Sequence, residues 1–368
     1  MSATAQIPKA TRALVLRKST RATKPVYHDA VLEQLPIPEL KPGQVLHWIR
    51  KGLYPGIGFG SVLGGDGAGQ VVASADENDA LLQKRVFLVP MRGWERDPDA
   101  PESHFYILGG GKTSPLGTFT QYVVVERDQV IPTPEHLDDV HAAAWPIGAV
   151  TAVGAMWHCI DRATMVNGHV KAGDNVLITG IGGGVALIAL QLCVARGANV
   201  YVTSGSQDKI RKAVELGAIG GVSYKADDWP AQLAALLKKN GASSLSVVVD
   251  AGGGDIMGKT SGVLKAGGRV VVFGMHAAPK VTMTMREVLK NQKLLAGPAR
   301  RDRLLARHRI VPVVSDVLDE LESAARGFAI LERGEHFGKV VIRIAPVAPA
   351  AAASDSPGPT AKVFPAKL

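Results

Sequence analysis

Gly180, Gly182, Gly183 and Gly184 lie in "LITGIGGGVALIALQL", between a β-branched run and a Leu/Ala-rich one. A strand, a tight turn and a helix in that order present backbone N–H groups at a helix N-terminus. A pyrophosphate can sit there only if no side chain holds it away. The spacing departs from G-x-G-x-x-G because Val185 and Ala186 follow Gly184, so the motif draws its weight from following the first strand of an alternating series. About twenty residues on, where an acid would hold a ribose 2′-hydroxyl, the chain reads "TSGSQDK". Ser204, Gly205 and Ser206 form the turn and Lys209 follows. Small hydroxyls and a lysine accept a 2′-phosphate that an acid would repel, which favours NADPH over NADH. Ser206 equally suits the N-cap of a helix opening at Gln207, a role compatible with phosphate binding.

A second stretch, "VLGGDGAGQVV" at residues 62–72, sets Asp66 among glycines, as a metal ligand, a proton donor or a group that holds the turn. A catalytic zinc takes about three protein ligands and an open position. The two cysteines, Cys159 and Cys193, sit in apolar helix-like segments, and the histidines form no i,i+4 pair. His136 and His141 flank a helix start and read as surface residues.

The elements that must position these groups fall into two patterns. Short β-rich runs broken by Gly and Pro ("RALVLR", "AVLEQL", "GAGQVVASA", "KRVFLVP", "FTQYVVVE") predict an antiparallel, barrel-like first domain. An Ala-rich helical stretch takes over near residues 144–151. From Asp174, "NVLIT", "NVYVT", "GGVSY", "SVVVD" and "RVVVFG" alternate with helices expected near Gly184, Gln207, Trp229 and Asp255. Apolar strands alternating with helices specify an α/β, doubly wound parallel sheet covered on both faces. After Val281 the alternation ends, and a last helix and strand return toward the first domain.

The 368 residues suit two domains, and a net charge of +9 favours anionic small molecules. The five arginines of residues 299–309, "ARRDRLLARHR", read as an exposed helix face, because no basic stripe interleaved with aromatics accompanies them. Residues 176–195 carry no charge, but the glycines split them into a strand and a helix, against a membrane span. With no apolar leader in the first residues and few cysteines, a cytoplasmic protein is expected. Residues 345–368 are Ala/Pro/Ser-rich and read as a disordered tail. Its last residues, Ala366, Lys367 and Leu368, are similar to a peroxisomal address, the alternative localisation.

With "WIRKGLYPG", "VLGGDGAGQVV", "GTFTQYVVV", "GAVTAVGAM", the glycine turn, "VVVDAGGG" and "GGRVVVFG", the chain resembles the medium-chain dehydrogenase/reductase superfamily over most of residues 13–344. The resemblance implies a GroES-like β-rich domain (residues 12–147), a Rossmann NADP-binding domain (148–284), a C-terminal return (285–344) and the tail (345–368). Zinc members carry Gly-His-Glu where this chain has Gly64, Gly65 and Asp66, and many carry a cysteine quartet where it reads "MRGWERDPDAPESHFYILGGG". The resemblance is therefore to the zinc-free quinone and enoyl reductases, with no metal. It implies a reductase transferring hydride to a quinone or α,β-unsaturated carbonyl, a small-molecule substrate, no nucleic acid or membrane partner, and leaves a homodimer open. Developing charge on oxygen needs a donor, and the resemblance points to Tyr54, with Trp48 as a stacking wall. Tyr54 before Pro55 reads equally as a turn residue. On the cofactor side the resemblance implies Thr151 near the nicotinamide, Tyr224 and Lys225 near the adenosine phosphate, and Gly274 under the nicotinamide ribose.

Two segments depart from the family. "KPGQVLHWIRKG" joins Val45 almost directly to Trp48, about a dozen residues short by strand lengths. "NQKLLAGPARRDRLLARHRIVP" replaces a strand end and a longer helix. A cleft short of one wall excludes water poorly, which motivates the alternative of a nucleotide-binding scaffold without chemistry. A third reading is nucleic-acid binding through Arg300–Arg309.

Overall fold

The computed structural model of the protein describes residues 10–19, 29–36, 58–76, 78–94, 101–109, 116–157, 170–290, 292–296 and 309–344. Trp48, Tyr54, Cys159, the junction after Val45, Arg300–Arg307 and the tail lie outside the described residues.

β1 (Ala10–Arg17) pairs antiparallel with β2 (Asp29–Pro36), Ala10 opposite Pro36 and Arg17 opposite Asp29. Ala13, Leu14, Val15 and Leu16 are all buried, because residues 60–63 and 119–121 cover the other edge of β1. The crossing is backbone on backbone. A Cβ on Gly64, at φ +97°, would stand 2.5 Å from Phe119 N, and one on Gly117 2.4 Å from Leu63 O, so only glycine fits either position. β3 (Ala68–Gln70), β4 (Arg85–Leu88) and β7 (Val130–Pro132) form a three-stranded antiparallel sheet; β5 (Met91–Arg92) and β6 (Tyr106–Ile107) form a short pair. The expected strand at residues 119–126 is not a continuous ladder. Thr11 Oγ1 accepts the Tyr122 N–H at 3.2 Å, so a side chain takes the place of a strand partner.

α1 (Asp139–Ala143) is capped by Asp138, whose carboxylate accepts the His141 N–H, and α2 (Pro146–Trp157) follows. The parallel sheet then runs in the order β10 (Gly220–Ser223), β9 (Asn199–Ser204), β8 (Asn175–Ile178), β11 (Leu245–Asp250), β13 (Leu264–Val272), β15 (Lys293–Ala296). Between them β12 (Gly253–Gly254) pairs with β14 (Ala278–Val281). The order reverses at β8, which makes the crevice beyond its carboxyl end a topological switch point. The helices α3 (Gly184–Ala195), α4 (Gln207–Glu215), α5 (Trp229–Lys239) and α6 (Ile256–Thr260) open at or within one residue of the expected positions. The sheet also continues past residue 284, where the sequence reading ended it: after α7 (Met285–Leu289), β15 adds a sixth strand, Arg269 opposite Lys293.

Period-two alternation divides the core. Val176, Ile178, Val247 and Val249 face α2 and α3, whereas Leu177, Tyr201, Val248 and Val270 face Trp229, Leu233 and Leu237 of α5. α3 buries Ala186 through Leu190, Leu192 and Cys193, since it is sandwiched between the sheet and α2, which accounts for its uncharged sequence. No described helix is long and apolar enough to cross a membrane. The chain closes with β16 (Val314–Asp319), a 3-10 turn at Leu321–Ser323, α8 (Ala324–Arg333) and β17 (Lys339–Arg343), β17 lying parallel to β16.

Candidate active site

The carboxyl end of β8 leads into the glycine turn. Gly180, at φ +64°, turns the chain away from the sheet, and Gly183 is the N-cap of α3 with no side chain capping it. The first N–H groups of a helix have no partner within it, and a Cβ on Gly183 would have its nearest neighbour, Gly180 O, 3.9 Å away. An open, uncapped N-terminus on a twelve-residue helix fits a pyrophosphate. Thr203 and Ser204 end β9 beside it. Ile181 N donates to Thr203 O at 2.9 Å, and Ser204 Oγ accepts from Ser206 N at 3.2 Å. Ser206 caps α4, accepting from Lys209 N, so the capping role foreseen for it is realised. Tyr224 and Lys225 fold over this turn: a Cβ on Gly205 would stand 2.8 Å from both Tyr224 Oη and Lys225 Cε.

Gly180, Gly182, Gly183, Gly184, Val185, Thr151, Ser204, Lys209, Tyr224 and Gly274 line one cleft, and Ser206 and Lys225 adjoin it through the α4 cap and the Gly205 contact. Lys209 departs from its expected posture. Its Nζ donates to Gly334 O at 2.8 Å and His336 O at 2.6 Å, which ties α4 to the C-terminal return beside Gly182. Burial, and then the charge of nearby Lys212, lower its pKa, because both disfavour the ammonium form. The return also touches the turn directly, through Gly338 N to Gly182 O at 2.8 Å.

Asp66 lines the same cleft. Its Oδ1 accepts Ile147 N at 2.6 Å, its Oδ2 meets Lys339 Nζ at 2.5 Å, and Thr118 Oγ1 donates to its backbone oxygen at 2.6 Å. The Lys339 stem lies against Gly184, where a Cβ would stand 2.7 Å from Cε. Asp66 thus holds the turn, the role its neighbouring glycines suggested, and its cation comes from β17. Among the described residues no three His, Cys, Asp or Glu side chains gather as a metal-binding set. With Asp66 committed to Lys339 and no ligating atom on Gly65, the residues here do not fit a catalytic zinc.

Sequence reasoning passed over three groups. Asp250 is 1% exposed and accepts Thr179 Oγ1 at 2.6 Å and Gly253 N at 2.6 Å. Lys339 supplies the Asp66 partner, and His336 lies between Lys209 and β17. The acid ending the apolar run "SVVVD" was the one readable signal, since a buried strand seldom ends in a carboxylate without a task.

The family model described as "Zinc-binding dehydrogenase" matches residues 184–317. The chain is 36% identical over 350 residues to "Zinc-type alcohol dehydrogenase-like protein YogA" of Leptosphaeria maculans, covering 87% of this chain and 96% of that protein. It is 26% identical over 181 residues to a "Quinone oxidoreductase" of Pongo abelii, 49% of this chain and 51% of that one. Among solved structures, an "NAD-dependent alcohol dehydrogenase" superposes with a TM-score of 0.71 at 28% identity, covering 91% of this chain and all (100%) of that one. With a glycine turn at the switch point of a six-stranded parallel sheet and a relative matched along nearly its whole length, the chain belongs to the medium-chain dehydrogenase/reductase superfamily of oxidoreductases.

Proposed function

We propose that the protein is a zinc-independent, NADPH-dependent reductase of quinones or α,β-unsaturated carbonyls. The uncapped α3 N-terminus, with hydroxyl and cationic groups rather than an acid at the end of β9, carries this reading. Asp208, the nearest acid, is occupied by Arg211 and Lys212. The likeness to a protein named quinone oxidoreductase supports the substrate class.

When bound, the dihydronicotinamide supplies a hydride from C4 to the acceptor carbon; a proton from solvent or a side chain completes the reduced product, and the nicotinamide leaves oxidised. The chain's own part is placement. The α3 N-terminus holds the pyrophosphate, and Ser204, Tyr224 and Lys225 meet the 2′-phosphate. Thr151 would lie near the nicotinamide and Gly274 under its ribose, as the family resemblance implies. Tyr54 donates to the developing oxyanion with Trp48 as a wall, an assignment that rests on the family resemblance. A cytoplasmic setting, with the Ala366-Lys367-Leu368 address as alternative, and a homodimer complete the proposal.

The test is a fluorescence titration with NADPH and NADH, followed by a quinone and enone panel with and without chelator. Saturable binding that favours NADPH, with chelator-insensitive oxidation of the nucleotide by an acceptor, is the expected result. Loss of turnover with chelator, or a preference for NADH, would overturn it. The short join after Val45 favours a second reading, a nucleotide-binding scaffold: binding without turnover, with activity restored by a family-length insertion there, would establish that one.

A further inference from the structure

Two loops leave the sheet side by side at the switch point, and one buried pair ties them. β8 ends at Ile178 before Thr179 and the glycine turn; its neighbour β11 ends at Asp250 before residues 251–254. Thr179 Oγ1 donates to Asp250 Oδ1 at 2.6 Å and accepts from Ala251 N at 2.9 Å, while Asp250 Oδ2 accepts from Gly253 N at 2.6 Å. Asp250 is almost fully buried, and no ion pair among the described residues includes it. An unpaired buried carboxylate is costly, and a site that only needed filling would be served by an apolar residue. Two acceptor oxygens are what this junction uses: one for the β8 side, one for the loop.

What the pair holds reaches into the cleft. Gly253 at φ +72° and Gly254 at φ +67° turn the chain back on itself. A Cβ on Gly253 would stand 2.5 Å from Ala278 O, and one on Gly274 2.6 Å from Ala251 O. His276 N donates to Ala251 O at 3.2 Å and Ala277 N to Gly252 O at 2.9 Å. Residues 251–254 and 274–278 are therefore packed backbone to backbone, and a displacement of Ala251 moves both.

We propose that Thr179 and Asp250 are a positioning pair: they set the wall that meets the nicotinamide, residues 251–254 with 274–277, against the glycine turn that holds the pyrophosphate, and so fix the reach and face of hydride transfer. The proposal rests on the nucleotide reading above and adds a task which that reading does not assign. Asp250→Asn is informative chemically. Its single acceptor oxygen can serve Gly253 N only by turning an amide donor toward Thr179 Oγ1, whose own proton then loses its acceptor.

The experiment compares two ligands on the full-length wild type, Thr179→Val, Thr179→Ser and Asp250→Asn. One is 2′-phospho-ADP, which reaches the glycine turn with its pyrophosphate but has neither the nicotinamide nor its ribose; the other is NADPH. Thr179→Val and Asp250→Asn should keep their affinity for the first within about two-fold and lose about ten-fold for the second, since a misplaced wall is felt only by the group that touches it. Turnover of an enone should fall about 10- to 100-fold, and deuterium transfer from C4-labelled NADPH should lose its single-face selectivity. Thr179→Ser, which keeps the hydroxyl, should behave as wild type.

Equal weakening of both ligands would reduce the pair to scaffold, and unchanged affinities and selectivity in Thr179→Val would deny it any role; either overturns the proposal. If Asp250→Asn does not fold, the Thr179 variants decide, and the ratio of the two affinities decides where no acceptor is turned over. A wild type that binds neither ligand overturns the nucleotide reading and this pair's role with it. A wild type that binds both, with variants that match it, overturns the pair alone.

Discussion

His336 shows how a single residue can couple its burial to pH. Its buried Nδ1 has no hydrogen-bond partner among the described residues, and Lys209 Nζ donates to its backbone oxygen. Burial, and then the charge of Lys209, push its pKa below the ordinary histidine value of 6.5, because both disfavour a second positive charge. The folded state therefore binds fewer protons than the unfolded chain just below that value. The stability His336 contributes is fully present above pH ~6.5 and is lost as pH falls toward the depressed folded value. Chemical denaturation between pH 7.5 and about 5 should show wild-type stability declining, and His336→Gln, which has no proton to take up, should decline less. None of this was legible in "GEHFGKVV": the histidine is one of ten, and only the fold brings it to Lys209.

At the scale of elements, the parallel sheet was readable because its strands are continuous apolar runs and its helices follow small or polar N-cap residues, Gly183, Ser206, Asp228 and Asp255, signals that persist whatever packs around them. The first domain was less so. Residues 119–126 have the composition of a strand, yet Thr11 Oγ1 takes the Tyr122 N–H, a long-range event that no local pattern encodes. The short run Lys293–Ala296 became a sixth strand only because β13 offered it an edge.

Glycines divide in the same way, and the division can be measured. Gly183, at φ −81° with only Gly180 O, 3.9 Å away, near its Cβ position, is not required by the fold, and in the proposed function it faces the pyrophosphate. Gly183→Ala should leave unfolding stability unchanged or raise it by about 0.4–1 kcal/mol, while weakening NADPH at least about ten-fold by crowding the α3 N-terminus. Gly274 is tied to the fold, its Cβ position 2.6 Å from Ala251 O. Gly274→Ala should cost about 1–3 kcal/mol of stability, read by denaturant unfolding beside the same titration.

Across the whole molecule, Asp66 joins three distant parts of the chain: its own glycine turn, Ile147 at the start of α2, and Lys339 on β17. The two side chains are 23% and 20% exposed, sheltered enough for the pair to matter and wet enough to lessen its cost. Lys339 also stands against the start of α3, where a cation is unfavourable unless an anion is near. Asp66→Asn should lower unfolding stability by about 1–3 kcal/mol. Asp66→Asn with Lys339→Met should recover part of that loss, because no charge is then left alone; a double-mutant cycle by denaturant unfolding measures the coupling.

The sequence alone determined the alternating sheet, the helix starts, the glycine turn at its first strand and the lack of a histidine at residue 65, since propensity, periodicity and the presence of a ligating atom are local properties. Only the tertiary structure decided what each polar group is for. It gave Asp66 to Lys339, set Lys209 on two backbone oxygens of the C-terminal return, and buried Asp250 between two loops. The physical reason is that a charge or hydrogen-bonding group takes its role from whichever partner the fold brings within about 3 Å, and here those partners lie up to 273 residues away along the chain.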